Sequence, residues 1–361
     1  MSARRIARFI LLFILPIILT GCGAYSTPST QQPPPPASRF ALVANLFSNS
    51  ISTYAIDGRT GQLTPKETVP TGGMNSKVIA LVPSGRFAYV GNVVSNDISV
   101  FAIDTNTGSL TTVGSPVPAG NGPQSIIVGP TGNVLYVVNR NDDHVIGFSI
   151  DPNTGVLTPL SGEIPTDRQP VALTFHPLGQ FAYVVNSDPG DITVYRVTNS
   201  IELGLIGSVP TRSTPLSIAF HPSGKTAYVA TFGSNDITVF SVNSTTGGLT
   251  PLGSPVSTAD GPSSITVDPQ GRFAYVTNTL AEKVSVFAID AATGALTPVS
   301  TAPTGSNPGA LSLDASGRFA YVANLGSDNV TPFTVDSSTG SLTPSGPPVN
   351  AGTGPAWVAV K

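Results

Sequence analysis

One short pattern recurs seven times along the chain and constrains its fold more than any other feature. Each copy has a polar first residue, an apolar stretch and, in six copies, a closing asparagine, as in residues 86–92, and successive copies begin 45 to 47 residues apart. The copies begin at Arg39, Arg86, Asn133, Gln180, Lys225, Arg272 and Arg318. A fixed period of this length is typical of arrays of supersecondary units that bury their apolar faces only against one another.

Each period contains four short apolar runs separated by turn sequences. In the second copy the runs cover residues 78–82, 87–91, 98–103 and 110–117, and Gly, Asn, Asp, Ser and Pro fill the gaps. Runs this short, bounded by turn residues, predict β-strands rather than helices. In the third run, apolar residues occupy both alternating faces, so we expect a sheet that is covered on both sides.

The sequence therefore predicts an all-β fold, a seven-bladed β-propeller whose blades are four-stranded antiparallel sheets. The chain enters this array at residue 39 with the second strand of a blade. Residues 354–360 match the first strand of the other copies, for example residues 122–128. We expect this last strand to complete the first blade and close the ring, which hides two sheet edges.

The first 38 residues have a different composition from the repeats. A basic start is followed by the apolar run 9–19, which is too short to span a bilayer. The run leads directly to Cys22, so residues 1–21 resemble the signal peptide of bacterial lipoproteins and Cys22 is the predicted lipidation site. Residues 22–38, with four consecutive prolines, are predicted to be an extended tether, and residues 39–361 the propeller domain.

Composition excludes several classes of function. Cys22 is the only cysteine, so the propeller cannot contain a disulfide or a thiolate metal site. The net charge is −3, which argues against nucleic-acid binding. No sequence pattern indicates a metal or a cofactor. We expect a monomer in the cell envelope, anchored by lipid and exposed to the periplasm or at the outer-membrane or extracellular face.

The repeats resemble a known family. Residues 275–278 read Tyr-Val-Thr-Asn, the tetrapeptide of the YVTN β-propellers, and the frame over residues 84–111 is similar to seven-bladed propellers of the lactonase type. The resemblance implies an activity like that of 6-phosphogluconolactonase. The enzymes of the family commonly have His-Pro before a glycine turn, which makes His176 and His221 the candidate catalytic residues. They also commonly have Glu after Val-x-Asn, whereas this chain has other residues there, which favours binding over hydrolysis.

Residues that break the repeat are the best candidates for ligand contacts, because the frame does not require them. Arg168 and Arg212 replace small residues in connections between blades, and Arg140 follows the closing asparagine of its copy. In a propeller these positions lie at one mouth of the channel, beside a polar rim that includes Asn186. The predicted ligand-binding residues are therefore Arg140, Arg168, Arg212 and Asn186, and arginines in this arrangement suit a carboxylate or phosphate group.

Three functions remain open from the sequence. The first is a lipid-anchored binding or interaction module for an anionic small molecule or an envelope protein. The second is a lactonase-like hydrolase, a carboxylic ester hydrolase resembling 6-phosphogluconolactonase. The third is a structural scaffold of the envelope. The missing glutamate favours the first of these, and lactone hydrolysis is the reaction to expect if the protein is an enzyme.

Overall fold

The chain folds into seven antiparallel sheets, seen in a computed structural model that describes residues 39–199 and 201–361. The strands of the first three sheets are β1 (Arg39–Asn45), β2 (Ser50–Ile56) and β3 (Leu63–Pro70); β4 (Ser76–Leu81), β5 (Phe87–Asn92), β6 (Asp97–Ile103), β7 (Leu110–Thr112) and β8 (Val117–Pro118); and β9 (Pro123–Val128), β10 (Val134–Asn139), β11 (His144–Ile150), β12 (Leu157–Pro159) and β13 (Ile164–Pro165).

The remaining sheets continue the same order along the chain. Their strands are β14 (Pro170–Phe175), β15 (Phe181–Asn186), β16 (Asp191–Thr198) and β17 (Glu202–Pro210); β18 (Pro215–Phe220), β19 (Thr226–Thr231), β20 (Asp236–Val242), β21 (Leu249–Pro251) and β22 (Val256–Ser257); β23 (Pro262–Val267), β24 (Phe273–Asn278), β25 (Lys283–Ile289) and β26 (Leu296–Pro303); and β27 (Pro308–Leu313), β28 (Phe319–Asn324), β29 (Asn329–Val335), β30 (Leu342–Pro344), β31 (Val349–Asn350) and β32 (Pro355–Val360).

The first sheet confirms the predicted ring closure. Its order is β3-β2-β1-β32, so the last strand pairs with the first, and Val43 lies opposite Val358. The other six sheets are each built from consecutive strands. We number the sheets as blades 1 to 7 in the order in which β1, β5, β10, β15, β19, β24 and β28 occur.

The fourth strand is split in two in blades 2, 3, 5 and 7, a detail that the repeat pattern does not predict. In blade 2, β7 and β8 both pair with β6, and Gly114 and Pro116 lie between them. Gly114 has a φ of 66°, and proline has no N–H to donate, so the ladder is interrupted there. The strand is continuous in blades 1, 4 and 6.

Seven apolar clusters hold the blades together, each formed by the facing sides of two neighbouring blades. One of them joins blade 7 to blade 1 through Phe319, Tyr321 and Tyr54. Tyr321 also donates a 3.0 Å hydrogen bond to the carbonyl of Gly61, in a hairpin of blade 1. Gly61 has a φ of 73°, and a Cβ there would lie 2.3 Å from the Phe319 ring, so only glycine fits.

The two ends of the ring carry different connections. The connections between blades and the loops from second to third strands lie at one end, which we call the loop end. The turns from first to second strands and from third to fourth strands lie at the other end, which we call the turn end. Seven innermost strands, β4, β9, β14, β18, β23, β27 and β32, surround a central channel.

The predicted signal peptide and tether lie outside the described residues, and so does Cys22. Within the described part of the chain, no helix is long and apolar enough to cross a membrane.

Candidate functional site

The channel contains two connected cavities. The larger, about 600 Å³, runs along the innermost strands to the turn end. The smaller, about 300 Å³, opens at the loop end and shares Ser125, Ala172 and Trp357 with the larger one. We call the smaller one the mouth cavity. Its volume is at the lower limit for small-molecule sites, which are roughly 300–1,000 Å³.

The wall of the mouth cavity is mostly apolar or hydroxylated, and it carries charge of one sign. Among the described residues that line it, the only charged side chains are Lys77 and Arg140. Lys77 comes from β4, at a position where the other blades have Gln124, Val171, Leu216, Ser263, Gly309 and Ala356. Arg140 is the first residue after β10, in the next blade. The two cations thus face one cavity although 62 residues of sequence lie between them.

Both cations use neutral amide oxygens as partners. The Lys77 Nζ donates to Gln124 Oε1, and Arg140 Nη2 donates to Gln169 Oε1 at 2.7 Å. Burial, and then the charge of Arg140, lowers the pKa of Lys77 to about 8. Both causes act against the protonated amine, because a cation loses hydration on burial and is repelled by its neighbour. The mouth cavity is therefore a place where negative charge is stabilised.

Arg168 and Arg212 also lie at the loop end, but outside the wall of the mouth cavity. Arg212 pairs with Asp236 at 2.7 Å, and the exposed Arg168 pairs with Asp188 at 3.3 Å. Of the three arginines predicted to bind ligand, the structure places only Arg140 in the cavity wall. The assignment of the other two stays a prediction, and in this structure their charge is shared with carboxylates.

The position three residues before the first strand of each blade explains an acidic pair in blade 4. In blade 2 the position is Gly73, where a Cβ would lie 2.6 Å from Asp97 Oδ1, so a side chain there points at the first residue of the third strand. Blade 5 has Arg212 at this position and pairs it with Asp236. Blade 4 has Asp167, whose carboxyl lies within hydrogen-bond reach of Asp191.

Asp191 is consequently an unusual carboxyl. It is only 8 % exposed. Burial and, to a lesser extent, the Asp167 carboxyl raise the pKa of Asp191 to about 6, although a hydrogen bond from Asn186 opposes the shift. Two carboxyls in contact cannot both ionise without repulsion, so this pair retains a proton to higher pH than an isolated aspartate.

Asn186 lies beneath the loop end, fully buried. Its Nδ2 donates to Asp191 Oδ1 at 2.7 Å and to Thr193 Oγ1 at 2.8 Å, which ties the second strand of the blade to the third. Asn92 makes similar bonds to Asp97 and Ser99, whereas the side chain of the equivalent Asn139 has no partner among the described groups. The Oδ1 of Asn186 has no partner among the described groups. Its role in ligand binding stays a prediction.

His176 and His221 are at the turn end, away from the mouth cavity. The Leu178 N–H donates to His176 Nδ1 at 3.2 Å, so His176 Nε2 carries the proton and donates to the Gly224 carbonyl at 2.9 Å. His221 makes the same bond to Gly271 at 3.0 Å. Each histidine joins its blade to the next one. The structure does not place either of them beside Lys77 or Arg140, and their catalytic role remains a prediction from resemblance.

The carboxylate of Asp314 belongs to the described wall of the larger cavity at the turn end and has several partners. It forms an ion pair with Arg39 and accepts hydrogen bonds from the N–H groups of Arg318 and Phe319 at 2.8 and 2.9 Å. Within residues 39–199 and 201–361, no three His, Cys, Asp or Glu side chains come together as metal ligands would.

The charged residue of the cavity wall that the sequence prediction did not select is Lys77. Its signal was present, because Lys77 stands at a first-strand position where the other six blades have neutral residues. The sequence could not show that its nearest charged neighbour is Arg140. That contact depends on how one blade packs against the next.

Comparison with known proteins agrees with this architecture. A sequence model for the family described as "Lactonase, 7-bladed beta-propeller" matches residues 35–123, 75–175, 120–260 and 206–360. No curated protein sequence matches the chain significantly.

Solved structures share the fold at low sequence identity. A protein from Bacteroides uniformis, provisionally described as a 6-phosphogluconolactonase, is 21% identical with a TM-score of 0.80, over 90% of this chain and 100% of that one. A protein from Bacteroides fragilis with the same provisional description is 22% identical with a TM-score of 0.80, over 93% and 100%. The periplasmic gluconolactonase of Pseudomonas aeruginosa is 22% identical with a TM-score of 0.78, over 90% and 99%.

Proposed function

The chain belongs to the family of seven-bladed β-propeller lactonases, and we propose that it hydrolyses a lactone at the mouth cavity. The observation that carries this proposal is the charge of that cavity, whose only charged lining side chains among the described residues are Lys77 and Arg140. Hydrolysis of a lactone passes through an oxyanion and ends in a carboxylate. Fixed cations in a partly dehydrated site stabilise both species.

Arg140 is the residue to which we assign this electrostatic role. Its guanidinium is held by Gln169 at 2.7 Å. A guanidinium is always charged and presents two parallel N–H groups, which suits a carbonyl oxygen that becomes negative. Arg168 and Arg212 stay in the proposal as ligand-binding residues of lesser weight, because Asp188 and Asp236 already neutralise them.

The lactonase interpretation fits the comparisons better than the binding module that the missing glutamate favours. The family model covers the whole propeller, and the solved structures named as gluconolactonases share its fold. The anionic ligand predicted for this mouth then becomes the reaction product, a hydroxy acid. Sugar lactones such as gluconolactone and 6-phosphogluconolactone are the first substrates to try.

We propose that the protein acts outside the cytoplasm. The periplasmic gluconolactonase from Pseudomonas aeruginosa supports this location, and so does the signal-like pattern of residues 1–21. Lipid attachment at Cys22 belongs to the same proposal. Replacing Cys22 by Ser should remove any lipid mass from the purified protein, whereas a wild-type protein that carries no lipid would contradict the anchor.

The test of the proposed activity is acid release from a panel of sugar and acyl lactones by the purified protein. We expect turnover of at least one lactone above the spontaneous rate. Arg140→Gln should lower kcat/KM by about 10- to 100-fold, because a charge-assisted contact contributes about 1.5–3 kcal/mol. The matched control is Arg59→Gln, at an exposed turn-end position, which should not change kcat/KM. A wild-type protein that hydrolyses no lactone in the panel would overturn the proposal.

A further inference from the structure

The mouth cavity contains one group that can exchange a proton near neutral pH. Among the described residues that line it, Lys77 and Arg140 are the only ionisable ones. Arginine stays protonated in proteins. No histidine belongs to the described lining of this cavity: His176 and His221 bond to turn-end carbonyls, and His144, at the loop end, contacts the Asp142 carbonyl and Glu163 instead. If a water molecule attacks a lactone in this cavity, the group that takes the proton of the water is therefore the amine of Lys77.

We propose that Lys77 is a catalytic residue of the lactone hydrolysis, the proton acceptor for the attacking water. This inference rests on the proposed function and adds a residue and a step to it. The neutral Nζ takes a proton from water as the water oxygen bonds to the carbonyl carbon, and the carbonyl electron pair moves to oxygen beside Arg140. When the carbonyl re-forms, the ring C–O bond breaks and the leaving oxygen takes the proton back from Nζ. One lactone and one water give one hydroxy acid.

The surroundings of Lys77 favour the neutral amine that this step needs. The strands packed against β4 are β1, β5, β9 and β32, and at the loop end none of them has a charged residue in the described chain. The charged group that faces Lys77 is Arg140, which has the same sign. The side-chain partner of Nζ is the amide oxygen of Gln124.

The resulting basicity matches the task. Burial and the Arg140 charge bring the pKa of Lys77 to about 8. General bases work best when their pKa lies near the working pH, and lysines tuned to about 7–8 serve in this way. Lys77 therefore acts as a base at neutral to mildly alkaline pH, where an exposed lysine is almost fully protonated.

The decisive variant is Lys77→Arg, because it keeps the positive charge and removes the basic lone pair. If Lys77 is the proton acceptor, Lys77→Arg should lower kcat by about 100-fold or more with little change in KM. If Lys77 only binds the anion, Lys77→Arg should have near-normal turnover. The matched control is Lys225→Arg, at an exposed turn-end lysine, and circular dichroism and melting temperature confirm that each variant is folded.

Two further measurements complete the test. Gln124→Glu places a carboxylate beside Lys77, so the midpoint of the kcat/KM pH profile should move up by about one pH unit. Competitive acetylation of the wild-type protein, read peptide by peptide, should give Lys77 a half-reaction pH near 8, while exposed lysines titrate near 10.

The outcomes separate this inference from the proposed function. Normal kcat in Lys77→Arg overturns the role of Lys77 and leaves lactone hydrolysis standing. A Lys77 that titrates with the exposed lysines also overturns it, whatever the activity. A wild-type protein that turns over no lactone removes the proposed function and the role of Lys77 with it.

Discussion

The two ends of the channel differ in the partners of their polar side chains. At the turn end, His176 is bonded to the Gly224 carbonyl and Asp314 is paired with Arg39. At the loop end, Lys77 and Arg140 have amide oxygens as their side-chain partners in the described structure. The turn end gains stability from its polar residues. At the loop end, no carboxylate among the described residues of the cavity wall neutralises Lys77 or Arg140.

Sequence position alone does not distinguish these two cases. His176 and Lys77 both stand at positions whose residue varies from blade to blade. The difference lies in what each meets in the neighbouring blade. His176 contacts the carbonyl of Gly224. A Cβ at Gly224 would lie 2.5 Å from the His176 ring, so this contact requires glycine. Lys77 meets open space, an amide and a like charge. A residue at a variable position of the repeat is therefore a candidate for function only when its neighbours leave its polar group or charge without a matching partner.

The largest effect should come from removing His176. His176→Ala deletes a hydrogen bond between blades and an aromatic contact with Phe220, and it leaves a cavity at a position that is 2 % exposed. We expect a loss of about 3 kcal/mol in the free energy of unfolding, measured by urea denaturation. A variant that kept its stability and lost kcat would assign chemistry to the turn end and break the comparison.

At Lys77, in contrast, we expect a substitution to raise the free energy of unfolding. The folded state lowers the pKa of this amine to about 8, so below that pH folding must bury a cation at some cost. The contribution of Lys77 to the free energy of unfolding of the wild-type protein therefore rises as pH increases from about 8 toward 10. Lys77→Met should raise the free energy of unfolding at pH 7 by about 1–2 kcal/mol while turnover falls. A destabilised Lys77→Met protein would show that the loop end is built for stability as well.

The acidic pair of blade 4 provides a smaller test with a pH signature. Asp191 has its pKa raised to about 6, above the value for an unfolded chain, so its contribution to stability is present at low pH and is lost as pH rises through 6. Asp167→Asn removes the lesser cause of that shift. It should stabilise the protein by about 1 kcal/mol at pH 7, with the gain vanishing toward pH 4. A gain that did not depend on pH would exclude repulsion between the two carboxyls as its origin.

The smallest effect should come from the two ion-paired arginines. The single tryptophan, Trp357, lines the mouth cavity and reports its occupancy by fluorescence. Replacing Arg168 and Arg212 together by Ala should weaken gluconate binding by about threefold or less, because both arginines are paired with aspartates and lie outside the wall of the mouth cavity. Arg140→Gln should weaken it much more. The reverse order would move the anion site out of the mouth cavity and onto blades 4 and 5.

The sequence predicted the architecture well because the repeat encodes it directly. The seven blades, the four-stranded antiparallel sheets and the pairing of β32 with β1 all follow from comparing equivalent positions. The split fourth strand in four blades was not predicted, since it depends on where Gly114 and Pro116 interrupt a ladder.

The candidate site was only partly predictable. Arg140 was selected because it breaks the repeat, and the structure places it in the cavity wall. Arg168 and Arg212 were selected by the same rule, but their aspartate partners lie 20 and 24 residues further along the chain and gave no sequence signal. Side-chain contacts across blades depend on packing, which a one-dimensional pattern does not contain.

The pairing of the last strand with the first also sets the moment at which the mouth cavity comes into existence. A chain that is made or transported from its N-terminus exposes the edge of β1 until β32 arrives to cover it. The same strand brings Trp357 to the cavity and contacts β4, which carries Lys77. Completion of the ring and completion of the site are therefore one event. A nascent or shortened protein that lacks β32 has no finished cavity.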